Sequence, residues 1–199
     1  MKTLALFASL FLASLYAQDI HVGVKGGVPL THGVTPGSID ESKRYTVGPT
    51  FEVGLGHGLS IEVDALYKRL GYSQTYSFVG ENALRRGRGN SWEFPMLAKY
   101  TFGHRESQIR PYVALGGNLR KIWSDLDFAS VGTPTNLIGA LPRSFSFVSD
   151  LQAGGTAAGG VLFQRGRFGI APEFRYTRWA TTNFQTNRNQ AEILVGIRF

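Results

Sequence analysis

The last nine residues, Ala191-Glu192-Ile193-Leu194-Val195-Gly196-Ile197-Arg198-Phe199, decide the fold. In an extended chain Ala191, Ile193, Val195, Ile197 and Phe199 share one face, and Glu192, Leu194, Gly196 and Arg198 share the other. One face is wholly apolar and the other mixed, at the spacing of a β-strand.

Upstream the same alternation recurs seven times. Ile20, Val22, Val24 and Val28 alternate with His21, Gly23, Lys25 and Gly27. Tyr45, Val47, Phe51, Val53 and Leu55 alternate with Arg44, Thr46, Thr50 and Glu52. Leu59, Ile61, Val63, Ala65 and Tyr67 alternate with Ser60, Glu62, Asp64 and Lys68. Trp92, Phe94, Met96, Ala98, Tyr100 and Phe102 alternate with Glu93, Leu97, Lys99 and Thr101. Pro111, Val113, Leu115 and Leu119 alternate with Tyr112, Asn118 and Arg120. A weaker stretch from Phe145 to Phe163 sets Phe147, Leu151, Val161 and Phe163 against Asp150 and Gln152; its AGGTAAGGV run is nearly all small. Phe168, Ile170, Pro172, Phe174 and Tyr176 alternate with Glu173, Arg175 and Thr177. Eight strands of about ten residues match the 9–11 that a tilted membrane-spanning strand needs, rather than the five or six usual in soluble folds.

The connections run from Thr31 to Ser42, Gly56 to Gly58, Ser73 to Asn90, Gly103 to Gln108, Lys121 to Arg143, Gln164 to Gly166 and Ala180 to Asn189. Long and short alternate throughout. An up-and-down transmembrane barrel with short periplasmic turns and longer extracellular loops has this connectivity, and its even strand number places both termini in the periplasm. The mixed faces gather Lys25, Arg44, Glu52, Glu62, Asp64, Lys68, Glu93, Lys99, Arg120, Asp150, Glu173, Arg175, Glu192 and Arg198. A Lys or Arg facing lipid at mid-membrane costs about 2–4 kcal/mol, so these faces must line the lumen. Tyr45, Tyr67, Trp92, Tyr176 and Trp179 fall toward the outer rim, and Tyr100, Phe102, Phe168 and Phe199 toward the periplasmic rim, as interfacial girdles do.

Residues 1–17, MKTLALFASLFLASLYA, have a positive start, an apolar stretch and a small residue at the cut, the plan of a secretory signal peptide. The apolar stretch is too short to span as a helix. Removal of 17 residues from 199 leaves 182, with 20 basic and 14 acidic residues for a net charge of +6. The chain has no cysteine, which excludes disulfides, thiolate metal sites and a cysteine nucleophile. Charged residues make up only 18%, and 43% apolar residues argue against disorder.

The chain resembles the small outer-membrane β-barrels of Gram-negative bacteria, of the OmpA/OmpX and PorT-like kind. The signal peptide, AEILVGIRF, WEFPMLAKYTF around Pro95 and RPYVALGG around Pro111 carry the likeness. Such proteins usually end in phenylalanine, and the assembly machinery recognises their last strand. The resemblance therefore implies that Phe199, Ile197, Val195 and Ile193 act as an assembly signal.

Eight strands enclose a space that side chains fill, and the lumen list is balanced, seven acids against seven bases, which favours a salt-bridged plug over an aqueous path. Catalysis has thin support. His21, His32, His57 and His104 show no metal-ligand spacing, and only His32, near Asp40 and Glu41, lies toward the outer rim. GLGHG and RRGRGN lack the following helix of a phosphate loop. No cofactor or metal site is expected. Arg85, Arg86 and Arg88, in the long loop after the third strand, suit bidentate contact with phosphorylated glycolipid such as lipopolysaccharide. Nucleic acid is a poor partner for an exported chain with dispersed charge. The third long loop, with Trp123, Leu126, Phe128, Leu137, Ile138 and Leu141, either covers the mouth, extends a hairpin or offers a partner patch.

The expectation is an all-β, eight-stranded antiparallel up-and-down transmembrane barrel over residues 18–199, monomeric, with a structural or surface-contact role. The alternatives are a narrow pore, a lipid-modifying enzyme and a soluble lipocalin-like binder.

Overall fold

The computed structural model describes residues 19–31, 39–40, 44–78, 81–104, 106–131, 144–148, 151–181 and 187–199. Residues 1–17, His32, Glu41 and Asp150 lie outside them. The described chain forms eleven strands: β1 (Ile20–Pro29), β2 (Ile39–Asp40), β3 (Thr46–Gly56), β4 (Leu59–Asp64), β5 (Leu66–Phe78), β6 (Glu81–Thr101), β7 (Ile109–Val131), β8 (Ser144–Val148), β9 (Gln152–Arg165), β10 (Phe168–Trp179) and β11 (Asn189–Arg198).

Eight staves make the wall, with β4 and β5 forming one stave broken only at Ala65. Each pairs antiparallel with the next, and β1 pairs with β11, so the sheet closes. The registers fix the tilt. Ile20 lies opposite Val53, which pairs with Ile61, and the row continues through Ala98, Leu115, Ala157 and Tyr176 to Ala191. The carbonyl of Ala191 then accepts the N–H of Leu30 at 2.7 Å. One circuit thus ends ten residues along β1 from Ile20. Ten residues at about 3.3 Å each, taken up over eight spacings of about 4.8 Å, tilt the strands by roughly 40°.

Alternation holds along each stave. On β10 buried and exposed residues alternate from Phe168 to Trp179. The exposed faces carry Val24, Phe51, Ile61, Met96, Leu115, Phe174 and Val195, an apolar wall facing outward. The aromatic girdles bound it. At the end away from the termini, Tyr45, Tyr67, Trp92 and Phe94 contact one another in series, with ring centroids 5.7–6.3 Å apart. At the termini end, Tyr100 meets Phe102 at 4.9 Å and Phe168 meets Phe199 at 5.9 Å. Trp92 and Tyr100 are eight positions apart on β6, as are Phe168 and Tyr176 on β10. At the derived tilt that is about 20 Å along the axis, close to the ~25 Å apolar band of outer-membrane barrels.

Four sequence-based expectations change. Residues 73–90 are mostly strand, because β5 runs to Phe78 and β6 starts at Glu81, paired throughout. Likewise β7 continues past Lys121 to Val131 along β6, so that part of the third long loop extends a hairpin. The sixth stave begins at Gln152 rather than Phe145. Ser144–Val148 forms the separate β8, paired with Trp123–Asp127 of β7. Trp179 faces the lumen, 1% exposed, instead of joining the girdle. Its position three residues after outward Tyr176 places it on the inner face, whatever the preference of indole for interfaces.

Candidate functional site

The lumen concentrates the chemistry. Lys25, Lys68, Lys99, Arg120, Arg175 and Arg198 are buried there with Glu52, Glu62, Asp64, Glu93, Glu173 and Glu192, six bases against six acids. Inward parity alone positions them: β4 contributes Ser60, Glu62 and Asp64 at alternate positions, and β10 contributes Glu173, Arg175, Thr177 and Trp179.

Nearest the termini, Glu52 accepts from Lys99 Nζ at 2.9 Å, Arg198 Nη1 at 3.0 Å and Ser60 Oγ at 2.8 Å. Arg198 Nη2 also donates to Gln164 at 2.9 Å. Lys99 reaches inward to Glu62 at 3.0 Å, and its ammonium lies 4.2 Å over the Tyr112 ring. In the middle tier Glu62 pairs with Lys25, whose ammonium also contacts Glu173 at 3.1 Å and Asp64 at 3.5 Å. Arg175 Nη2 bridges Asp64 at 2.8 Å and Glu173 at 2.7 Å, while the Tyr112 hydroxyl donates to Glu173 at 2.9 Å. Toward the far end, Lys68 sits between Glu93 at 2.6 Å and Glu192 at 2.5 Å. Arg120 lies 4.0 Å from Glu93, donates from Nε to Gln152 at 3.0 Å, and stacks 4.0 Å over Trp179. Trp179 Nε1 in turn donates to Gln190 at 3.0 Å.

This balance answers an energetic demand. A charge taken out of water costs several kcal/mol unless an opposite charge and hydrogen bonds replace its hydration. Every acid of the set has a basic neighbour within 4.0 Å. Space between the tiers is small. Cavities of about 20 Å³ adjoin Lys25, Glu62 and Lys99, and Arg44, Lys68 and Glu192, each enough for about one water. A larger vestibule of about 280 Å³ opens at the termini end, lined by Asp19, His21, Glu52, Arg110, Gln164 and Arg198 among others.

The sequence-derived lumen list is thus brought together with two differences. Arg44 precedes β3 and is half-buried at the far rim, where Nη1 donates to the Thr31 carbonyl at 2.9 Å. Asp150 lies outside the described residues. Tyr112 and Trp179 were the aromatic partners missed as such; inward parity beside charged residues was the available signal. Of the histidines, His21 lines the vestibule, His57 occupies the β3–β4 turn and His104 is exposed. Among the described residues no group of three His, Asp or Glu is arranged to hold a metal.

Arg85, Arg86 and Arg88 lie on β6 rather than in a loop. The register sets Arg86 opposite Asp127 and Arg88 opposite Asp125 of β7. Phe199, by contrast, is at the strand end as expected: its N–H donates to the Val22 carbonyl at 2.9 Å, and Ile193, Val195 and Ile197 are exposed on the outer wall.

A family model described as outer membrane protein beta-barrel domain matches residues 16–184. Among curated proteins no relative matches the chain. Solved structures do. Neisserial surface protein A is 16% identical with a TM-score of 0.52, covering 92% of this chain and 97% of that one. The N-terminal β-barrel domain of Pseudomonas aeruginosa OprF is 14% identical at 0.48, covering 90% and 96%. E. coli outer membrane protein W is 15% identical at 0.47, covering 92% and 98%. The first of these shares the closed eight-stranded fold. With its closed wall, apolar exterior and matching family model, the chain belongs to the outer membrane protein beta-barrel domain family.

Proposed function

We propose that this barrel keeps its lumen closed and acts at the cell surface, as a structural or contact element of the outer membrane. The observation that carries the reading is the lumen itself: twelve buried charges, neutral in sum, linked from Arg198 through Glu52, Lys99, Glu62 and Lys25 to Glu173. Opening a path for ions would require separating pairs whose partners are then left charged in a water-poor wall. Among the described residues no cluster of His, Asp or Glu able to hold a metal competes with this role.

In this reading residues 1–17 direct export, both termini are periplasmic, and the strand ending in Ile193, Val195, Ile197 and Phe199 is what the assembly machinery engages. The far end then faces outward, and the paired β5–β6–β7 segment beyond Trp92 stands above the membrane as a contact surface. Arg85, Arg86 and Arg88 belong to that surface and offer contact to glycolipid or surface polymer. The protein works as a monomer.

Liposome swelling with small sugars tests the closed lumen. Vesicles holding folded protein are expected to swell no faster than empty ones, and size-dependent swelling would replace this reading with a pore.

A further inference from the structure

The exposed charges of the described wall are sorted by end. At the termini end they are mixed: Asp19 and Glu106 with Arg165 and Arg167. At the far girdle they are Arg69, Lys121, Arg178 and Arg188, all basic, while Asp125 and Asp127 lie further along β7, in register with Arg88 and Arg86 of β6.

Registers place the four at one level. Arg69 lies two residues beyond the girdle residue Tyr67 on β5, and Arg178 two beyond Tyr176 on β10. Lys121 is the register partner of Trp92, and Arg188 Nη2 donates to the Ala180 carbonyl just past Trp179. At the same level the Tyr67 hydroxyl bonds Asn90 at 2.7 Å and the Tyr176 hydroxyl bonds Asn189 at 3.0 Å. The apolar wall therefore ends in tyrosine–asparagine pairs, with a ring of cations immediately beyond.

We infer that this ring is a binding surface for the phosphates of a multiply phosphorylated glycolipid, lipopolysaccharide, in the outer leaflet. The inference rests on the proposed orientation, with the far end outward. Charge complementarity selects the occupant. A zwitterionic headgroup layer is matched by acids and bases together, as at the termini end; four exposed bases gathered at the level of the far girdle match a polyanionic one. Arginine contributes planar, bidentate phosphate contact, and lysine a point charge. The wall below adds room for the tails. Between Lys121 and Arg178 the outward face of β9 carries only Ala153, Gly155 and Ala157 in succession. Leu115 and Leu119 on one side and Phe174 and Tyr176 on the other stand above it. A Cβ added at Gly155 or Gly117 meets nothing within 4 Å, so the barrel's own packing does not demand glycine there.

The test uses the full folded protein in zwitterionic detergent, with purified lipopolysaccharide as the probe and phosphatidylethanolamine and phosphatidylglycerol as comparison lipids. Folding of every variant is checked by heat-dependent gel mobility. The triple variant Arg69→Gln, Lys121→Gln, Arg178→Gln is expected to bind lipopolysaccharide about tenfold or more weakly, with a shallower salt dependence. The pair Arg165→Gln, Arg167→Gln at the opposite end is expected to bind as the unaltered protein does. Equal binding by the triple variant overturns the inference. So does an equal loss in the Arg165, Arg167 pair, or phosphatidylglycerol binding as tight as lipopolysaccharide. Lumen closure is read separately by swelling, so loss of one reading does not imply loss of the other.

Discussion

Arg175 Nη2 lies 2.8 Å from Asp64 Oδ2, joining β10 to β4 across a lumen in which neither side chain is more than 1% exposed. Because Asp64 also receives Lys25, removing its carboxylate leaves two cations short of a partner. Asp64→Ala is expected to destabilise the folded barrel by about 3–5 kcal/mol, read from urea unfolding in vesicles. Arg175→Ala is expected to cost a similar amount. The double variant should cost less than the two together, by about 1–3 kcal/mol. Strict additivity would mean that the two groups do not share a network.

The inward position of Trp179 is tested optically. The chain has three tryptophans. With Trp92 and Trp123 replaced by Phe, the emission of Trp179 is expected to resist quenching by brominated lipid. A protein keeping only Trp92, exposed at the girdle, is expected to be quenched strongly. Quenching of Trp179 to the same degree would place it on the outer wall.

Two glycines of β9 separate inner from outer packing. A Cβ at Gly160 would stand 2.5 Å from the Pro172 carbonyl oxygen and 2.6 Å from the Tyr112 ring, whereas one at Gly155 meets open space. Gly160→Ala is therefore expected to cost roughly 1–3 kcal/mol, and Gly155→Ala to fall within about 0.5 kcal/mol of the unaltered protein. Thermal midpoints of the gel-mobility shift compare the two, and equal effects would contradict the packing described for β9.

Phe199 tests the C-terminal strand. Its backbone bond to Val22 survives substitution, so Phe199→Ala removes the ring and its contact with Phe168. Refolded protein is expected to lose about 1 kcal/mol, while the assembled amount in outer membranes falls severalfold. Normal assembled levels would count against the role assigned to this strand.

Within the membrane band the architecture is legible because lipid on one side and paired charge on the other impose a period of two. That pressure gave away the staves and most of the lumen residues, down to Glu62 and Arg175. Beyond Trp92 the contrast weakens, as in Tyr72-Ser73-Gln74-Thr75 and Arg85-Arg86-Gly87-Arg88. The strands continue through residues 71–90 and past Lys121, where only short stretches such as Asp125-Leu126-Asp127-Phe128 alternate. Arg86 and Arg88 were misplaced into a loop for the same reason. Trp179 failed differently, where a residue-type preference was weighed above the parity that Glu173 and Arg175 had already set. The cation ring was hidden because Arg69, Lys121, Arg178 and Arg188 are far apart in sequence and meet only through the registers.

The most direct test of the closed lumen is single-channel recording of refolded protein in planar bilayers, restricted to material whose gel mobility shifts on boiling. The tiers built on Glu52, Glu62 and Glu192 predict a silent baseline, with no discrete steps across the accessible voltage range. Reproducible steps from the unaltered protein would mean that the charged lumen opens to water, and would contradict the account at its centre.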